Sequence, residues 1–425
     1  MRTGRASRHE RLLTLFERNA RASQKRGLSG LRVEDRNLDG AWLTIGGRRV
    51  VNFGSCAYTG LNTDPRLKAA AKDAIDRFGP VFSSSPAYTS IGLYTELEER
   101  LRRIFHAHVV VPATTTLGHL AALPILIGDG DAVLVDSQAH STVHLATQIL
   151  MAEGIPVNPV AHNDMELLTA AVEDACNRFD QVWYIADGVY SMLGDTAPVA
   201  RVMELVDRHE NLHAYFDDAH GFGWKGINGR GWVLDAVPWH PRLVVAVSLA
   251  KSFGAGGAAL AFPDKAMAER VQMSGGTMVF SGPLHPAQLG AAIASADIHL
   301  SPELEERQAV LHHQIEVMRA GLLAADLPVV NTDATPLWFV RIGGSEQAFE
   351  LCRRMMDDGF YLNVSAFPVV PVGQAGLRVT HTVYHTDHQI EAMLESLARH
   401  FRAIAGPPEI VFDISDLAMT EAEAS

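Results

Sequence analysis

The sequence predicts an α/β protein in which a mostly parallel sheet lies between helices and a smaller α+β unit follows. Short apolar segments at residues 132–136, 182–186 and 243–248 are typical of strands that are buried on both faces. Segments with helical periodicity separate several of these strands, and such alternation favours parallel strands joined by helical crossovers. After residue 300 the pattern changes to one long helix followed by shorter strands and helices. The last part of the chain is therefore expected to form the smaller unit.

Taken in order, these patterns divide the chain into three parts. Residues 1–58 hold an amphipathic helix, with Leu12 and Phe16 among arginines, and short strands around a Gly46-Gly47 turn. Residues 59–300 hold the alternating strands and helices of a large domain. Residues 301–425 form a small C-terminal domain that ends in an acidic tail from Ile410. Its long first helix starts at Ser301-Pro302 and is expected to bury a stripe of apolar side chains: Leu304, Leu311, Ile315, Met318 and Leu322.

Composition restricts the possible partners and the compartment. The 425 residues are 47% hydrophobic and carry a net charge of −13, which argues against a nucleic-acid-binding surface. No apolar run reaches the roughly 18 residues that a membrane span requires. The basic N-terminus lacks the apolar segment of a signal peptide. Three widely spaced cysteines argue against a disulfide framework, so a cytoplasmic location is expected.

One lysine follows a buried strand directly, in the segment Ser248-Leu249-Ala250-Lys251. A lysine at such a place is costly to bury unless its amine is paired or used chemically. Two uses are common: contact with an anionic group, and a Schiff base to a carbonyl or to pyridoxal phosphate. Most lysines on loops are merely exposed, so the interpretation needs a second feature.

The second feature is the segment Asp217-Asp218-Ala219-His220, at the end of the preceding predicted strand. Pyridoxal phosphate accepts electrons well only while its ring nitrogen stays protonated, and a buried carboxylate beside that nitrogen retains the proton. The carboxyl ends of parallel strands form the ligand-binding edge of open α/β sheets. An Asp and a Lys at the ends of successive strands therefore favour pyridoxal chemistry over a metal pair or a helix cap.

Three motifs, in this order, resemble the α-oxoamine synthase family: Asp187-Gly188-Val189-Tyr190-Ser191-Met192, then Asp217-Asp218-Ala219-His220-Gly221 with Gly229-Arg230-Gly231, then Ser248-Leu249-Ala250-Lys251. The resemblance runs from about Arg49 to Leu397. It implies a fold-type-I enzyme that uses pyridoxal 5'-phosphate (PLP) and works as a homodimer with a composite active site. It also implies a reaction in which an amino acid condenses with an acyl thioester, from coenzyme A or a carrier protein, to give an α-aminoketone.

The resemblance implies roles for residues around the cofactor ring. Lys251 would form the Schiff base and later take the Cα proton, and Asp217 would hold the proton on the ring nitrogen. His220 would bond the ring oxygen, with Ser191 as another polar contact near it. His140 would stack on the ring, although a histidine that only caps a helix is the alternative there.

The resemblance also implies contacts to the phosphate of the cofactor and to the carboxylate of the amino acid. Thr115 and Thr116 open a helix where the family binds the cofactor phosphate, together with Ser248. Ser281 would reach the phosphate of the neighbouring subunit, or is a plain loop serine. Arg378 would bind the carboxylate of the amino acid in a fork, with a structural ion pair as the alternative.

Three segments depart from the family pattern, at Cys56-Ala57, Ser83–Ser85 and Tyr94, and all are expected near the substrate entrance. The altered pocket leaves a second hypothesis open: an aminotransferase, or a carbon–carbon bond-forming enzyme with a non-thioester electrophile. A non-catalytic scaffold is a third. Histidine pairs such as His140 and His144 lack further ligands at metal-site spacing, so no metal is expected.

Overall fold

A computed structural model describes residues 8–404 of the chain. The acidic tail from Ile410 lies outside these residues, as do Arg2 and Arg5 near the start. The chain separates into two compact units, Met1–Ser55 with Gln314–Ser425, and Cys56–His313. The first unit opens with helix α1 (Arg8–Lys25) and the antiparallel strands β1 (Trp42–Ile45) and β2 (Arg48–Asn52).

The second unit is built on a seven-stranded sheet of order β3-β9-β8-β7-β6-β4-β5. Five strands, β8 through β5 in that order, are parallel to one another, and β9 runs antiparallel to both of its neighbours, β8 and β3. The mostly parallel sheet predicted from continuous apolar runs is therefore confirmed. Its strands are β3 (His108–Val110), β4 (Ala132–Asp136), β5 (Val157–Val160), β6 (Val182–Asp187), β7 (Leu212–Asp217), β8 (Leu243–Ser248) and β9 (Ala258–Phe262).

Helices cover the sheet, and polar caps fix where several of them begin. Asp64 caps the helix that starts at Pro65 by accepting the N–H of Arg66, and a proline at the first position is compatible with a helix start. Asp164 caps another by accepting two backbone N–H groups. The helices of this unit are α2 (Pro65–Phe78), α3 (Leu93–Phe105), α4 (Thr115–Leu126), α5 (Ser141–Ala152), α6 (Met165–Cys176), α7 (Val199–Arg208), α8 (Trp232–Ala236), α9 (Lys265–Ser274), α10 (Gly276–Phe280) and α11 (Pro286–His299).

The long helix α12 (Glu303–Ala324) buries all five residues of its predicted apolar stripe. The first unit then continues with α13 (Ser345–Asp357), α14 (Asp387–Ile404) and four strands: β10 (Leu337–Gly343), β11 (Phe360–Tyr361), β12 (Asn363–Ser365) and β13 (Ala375–Thr380). These form two small sheets of order β1-β2-β11 and β10-β13-β12. In the range 8–404, no helix is both long and apolar enough to span a bilayer.

Candidate active site

A cavity of about 390 Å³ lies where the parallel strands of the large sheet end. The last residues of β6, β7 and β8, which are Asp187, Asp217 and Ser248, all line it. Loops diverge at this edge of an open sheet, which leaves room for a ligand. Seven of the residues predicted from the sequence meet on its wall: Thr115, Thr116, His140, Asp217, His220, Ser248 and Lys251.

Asp217 is the buried anion of this cavity, with 4% of its surface exposed. Its Oδ2 accepts a hydrogen bond from Nε2 of His119 at 2.9 Å, and its Oδ1 accepts the N–H of Ala219 at 3.0 Å. Burial by itself raises the pKa of Asp217, but His119, Lys251 and His140 outweigh burial and lower it. The carboxylate is therefore ionised, as a partner for a protonated ring nitrogen must be.

His119 was not singled out in the sequence, although it completes the surroundings of Asp217. It lies on α4, is fully buried, and accepts a hydrogen bond on Nδ1 from the hydroxyl of Tyr215 at 2.7 Å. Tyr215 is two residues before Asp217 on β7, so both side chains lie on the same face of the sheet. The available signal was one titratable residue in an otherwise apolar helix, since such a residue must have a buried partner.

Lys251 and His220 lie on the same cavity wall. His220 is buried, and its Nδ1 lies 2.8 Å from the hydroxyl of the buried Tyr58 in a hydrogen bond. Its backbone oxygen accepts the indole N–H of Trp224 at 2.6 Å. The hydrogen bond to Tyr58 therefore fixes the orientation of the imidazole on the cavity wall.

His140 fits both interpretations that the sequence allowed. Its Nδ1 accepts the backbone N–H of Thr142 at 3.3 Å, so it caps α5, and it also lines the cavity. Burial lowers the pKa of His140, which favours a neutral ring. A neutral imidazole with Nδ1 as acceptor carries its proton on Nε2.

Another set of residues on the cavity wall is suited to an anionic group. Thr114 caps α4, with its Oγ1 accepting the N–H of Leu117 at 3.2 Å, and Thr115 and Thr116 form the first turn. Unpaired amides at a helix N-terminus attract phosphate groups. Ser248 faces the same cavity, and its Oγ accepts the N–H of Ala250 at 3.2 Å, which leaves its O–H as a donor.

Asp218, the neighbour of Asp217, has a structural role. It is fully buried, and its Oδ2 accepts the N–H of Val233 at 3.0 Å. Burial and the charge of Asp217 raise its pKa well above the ordinary value. A Cβ on Gly188 would lie 2.3 Å from its Oδ1, and one on Gly221 would lie 2.1 Å away, so both motif glycines are required for the space that Asp218 fills.

Within the described residues, Ser191, Ser281 and Arg378 do not line this cavity. Ser191 follows β6 and is half-buried, and Ser281 directly follows α10. Arg378 belongs to the other compact unit, on the central strand β13, where it is 7% exposed. The roles implied for these three residues remain predictions.

Two of the departures from the family pattern contact one segment beside Ser281. The hydroxyl of Tyr94 accepts the N–H of Leu284 at 2.6 Å, and burial raises the pKa of Tyr94 to about 12. Ser85 donates its hydroxyl proton to the backbone oxygen of Val279 at 2.6 Å. Neither residue lines the cavity. Both therefore support the 279–284 segment.

Comparison with known proteins agrees with this architecture. The aminotransferase class I and II family matches residues 48–397. An 8-amino-7-oxononanoate synthase of Symbiobacterium thermophilum is 32% identical over 365 residues, which cover 84% of this chain and 89% of that protein. One from Fervidobacterium nodosum is 30% identical over 382 residues, covering 87% and 94%.

A solved serine palmitoyltransferase structure from Sphingomonas wittichii has the same fold. It gives a TM-score of 0.84 at 22% identity and covers 94% of this chain and 99% of that one. The chain therefore belongs to the aminotransferase class I and II family, and within it to the PLP-dependent acyltransferases known as α-oxoamine synthases.

The cavity residues fit PLP. The buried carboxylate of Asp217 suits a protonated pyridine nitrogen, and Lys251 supplies the amine. The first turn of α4 and Ser248 supply donors for a phosphate. These are the groups that PLP requires from a protein: an amine for its aldehyde, an anion for its ring nitrogen and donors for its phosphate.

Proposed function

We propose that the protein condenses an amino acid with an acyl thioester and releases carbon dioxide, a thiol and an α-aminoketone. A carbon–carbon bond forms between the amino-acid Cα and the acyl carbon while the thioester C–S bond breaks. The bond from Cα to the carboxylate also breaks, and one proton from solvent balances the thiol that leaves. The observation that carries the proposal is one cavity wall bearing Lys251, Asp217 and His220, in a chain 32% identical to an 8-amino-7-oxononanoate synthase.

Bound PLP supplies a ring that stabilises negative charge at Cα. The amine of Lys251 would hold the aldehyde carbon of the cofactor, and the same amine is the group that would take the Cα proton of an amino acid. Asp217, which accepts a hydrogen bond from His119, would keep the proton on the ring nitrogen. His220 would bond the ring oxygen and His140 would pack against the ring, while Thr115, Thr116 and Ser248 would hold the phosphate.

The carboxylate of the amino acid is assigned to Arg378. The assignment rests on the sequence motif and on chemistry: a guanidinium binds a carboxylate through two parallel hydrogen bonds. Arg378→Lys keeps the charge but loses the fork, so the KM for the amino acid should rise about tenfold or more with a smaller change in kcat.

The active form is proposed to be a cytoplasmic homodimer in which Ser281 reaches the phosphate bound by a second copy. Phe280 and Tyr88 are 90% and 88% exposed, although both are large and apolar. The hydrogen bond from Ser85 to Val279 joins their two segments, and exposed apolar side chains of this kind favour contact with a second copy. Sedimentation velocity should show a dimer, and Phe280→Glu should weaken it.

The test is a screen of amino acids against the purified, PLP-loaded protein with an acyl-coenzyme A series. Each reaction is followed by thiol release and by ¹³CO₂ from carboxyl-labelled amino acid, with Lys251→Ala protein as the matched blank. Equal amounts of thiol and ¹³CO₂ support the proposal. Formation of an α-keto acid without thiol release would instead identify an aminotransferase.

A further inference from the structure

Two carboxyl groups, not one, lie side by side on the cavity wall. Asp187 at the end of β6 and Asp217 at the end of β7 are partners in the parallel register. Neighbouring strands are about 4.8 Å apart. Both residues are buried, at 2% and 4% exposure, and both line the cavity. Two carboxylates this close in a buried site do not both ionise readily, because each disfavours the charge on the other.

The hydrogen-bond donors around the two carboxyls differ. Asp217 receives the imidazole N–H of His119 on one oxygen and the backbone N–H of Ala219 on the other. Among the described residues, the carboxyl of Asp187 receives one hydrogen bond, from the backbone N–H of His140 to Oδ1 at 3.0 Å. Hydrogen bonds donated to a carboxylate stabilise its charged form, so Asp217 is the better place for the negative charge.

We propose that Asp187 carries the proton of this pair and presents a neutral carboxylic acid O–H to the cavity. The groups that act on it electrostatically are Asp217 and Asp136 from neighbouring strands and Lys251. Burial and then the charge of Asp217 raise its pKa well above the ordinary value, and the bond from His140 and the charge of Lys251 only partly oppose them. The hydrogen-bond geometry and the neighbouring charges therefore both favour a protonated Asp187.

A neutral Asp187 acts on ligands as a donor instead of as a second anion. This use rests on the proposed function: a phenolate, carbonyl or carboxylate oxygen of bound cofactor or substrate can accept its O–H. A second carboxylate there would repel the carboxylate of an incoming amino acid. It would also compete with Asp217 for the proton of the ring nitrogen. Asp187 thus leaves Asp217 as the negative charge of the pair.

The protonation state can be measured without cofactor. Infrared spectra of the apoprotein labelled with ¹³C-carboxyl aspartate, at pH 8, should show carboxylic-acid C=O absorption, since ordinary aspartates are ionised there. Asp218 is the matched second acid, because it is also buried with a raised pKa. Asp187→Asn should remove one component and Asp218→Asn another. Acid absorption unchanged by Asp187→Asn would overturn the proposal.

If Asp187→Asn does not fold, the Asp218→Asn protein decides alone. It should keep one acid component, and the loss of all acid absorption in it would contradict the proposal.

PLP titrations give an independent readout. An amide at position 187 still donates a hydrogen bond, so Asp187→Asn should bind PLP within about threefold of wild type, whereas Asp187→Ala should bind about tenfold more weakly. Equal losses in both variants would count against a donor role. Because the infrared result does not depend on PLP, a protein that failed to bind PLP would refute the proposed function separately.

Discussion

Two aspartate–histidine clusters lie at the ends of strands in the same sheet, and only one of them serves the cavity. In the first, Asp217 at the end of β7 pairs with His119. In the second, Asp136 at the end of β4 bonds Nδ1 of His162 at 2.9 Å, and Asp195 bonds its Nε2 at 2.6 Å. In sequence both aspartates look alike, since each ends a continuous apolar strand.

The difference lies in what each carboxylate has left to bind. Asp136 accepts the N–H groups of Gln138 and Asn163 besides the bond to His162, and it does not line the cavity. Protein hydrogen-bond donors satisfy the carboxylate of Asp136, so this residue stabilises the loops that carry those donors. Asp217 has fewer protein donors and faces the cavity, so it can pair with a ligand. A strand-end aspartate is thus a binding residue only where its own loop does not satisfy it.

The largest effect should follow removal of the amine itself. Lys251→Ala is expected to abolish the visible absorbance of bound PLP and to lower turnover by about 10³-fold or more, because both the covalent attachment and the base are lost. Lys265→Ala, on an exposed lysine paired with Glu269, is the control and should behave as wild type. Unchanged turnover in Lys251→Ala protein would remove the basis of the mechanism.

The comparison of the two clusters predicts opposite results for one substitution. Asp217→Asn should lower kcat by about 10²–10³-fold, because the ring nitrogen loses its anion, with a smaller loss of stability, because the amide oxygen can still accept the N–H of His119. Asp195→Asn should do the reverse: kcat within a few-fold, but a lower free energy of unfolding as His162 loses a carboxylate. Kinetics and urea titrations of both variants provide the measurement, and equal kcat losses would show that the clusters are not distinct in function.

Much of the fold was predictable, because parallel strands that are buried on both faces consist of continuous apolar residues. Such runs can be recognised in the sequence. The buried stripe of α12 followed from helical spacing in the same way. The reversed direction of β9 was not predictable, since apolar runs carry no strand direction. Helices α7 and α11 also went unassigned, although Pro286 at the first position of α11 was an available signal.

The site was predictable where its residues are close together in one sequence motif, as Asp217 and His220 are. His119 was missed because its partner lies 98 positions away in sequence, and no local spacing reveals such a pair. Asp187 begins one of the sequence motifs, but the motif predicts no role for it. Its importance depends on strand register with Asp217, which only the folded sheet supplies.

The second cluster should also make stability depend on pH. Burial lowers the pKa of His162, but hydrogen bonds to Asp136 and Asp195 outweigh it and raise the pKa to about 9. A raised pKa in the folded state stabilises the protein fully below the unfolded value, near 6.5, and that stabilisation is lost as pH rises through about 9.

His162→Gln removes this contribution. Urea unfolding should show wild type more stable than the variant by on the order of 2–3 kcal/mol at pH 6, with the gap closing by pH 10. A gap that stayed constant over this range would mean that His162 is not charged in the folded protein.

The smallest expected effect concerns Tyr94, which tests the same criterion of satisfied partners away from the carboxylates. Tyr94→Phe leaves the N–H of Leu284 without its acceptor, so the free energy of unfolding should fall by about 1 kcal/mol. Met273→Leu, at an exposed apolar residue of α9, is the control and should change it by less than about 0.5 kcal/mol. The structure gives Tyr94 a supporting contact, so the KM for the acyl thioester should change little. A larger rise in that KM than the stability loss explains would place Tyr94 in the substrate pocket, as its departure from the family pattern first suggested.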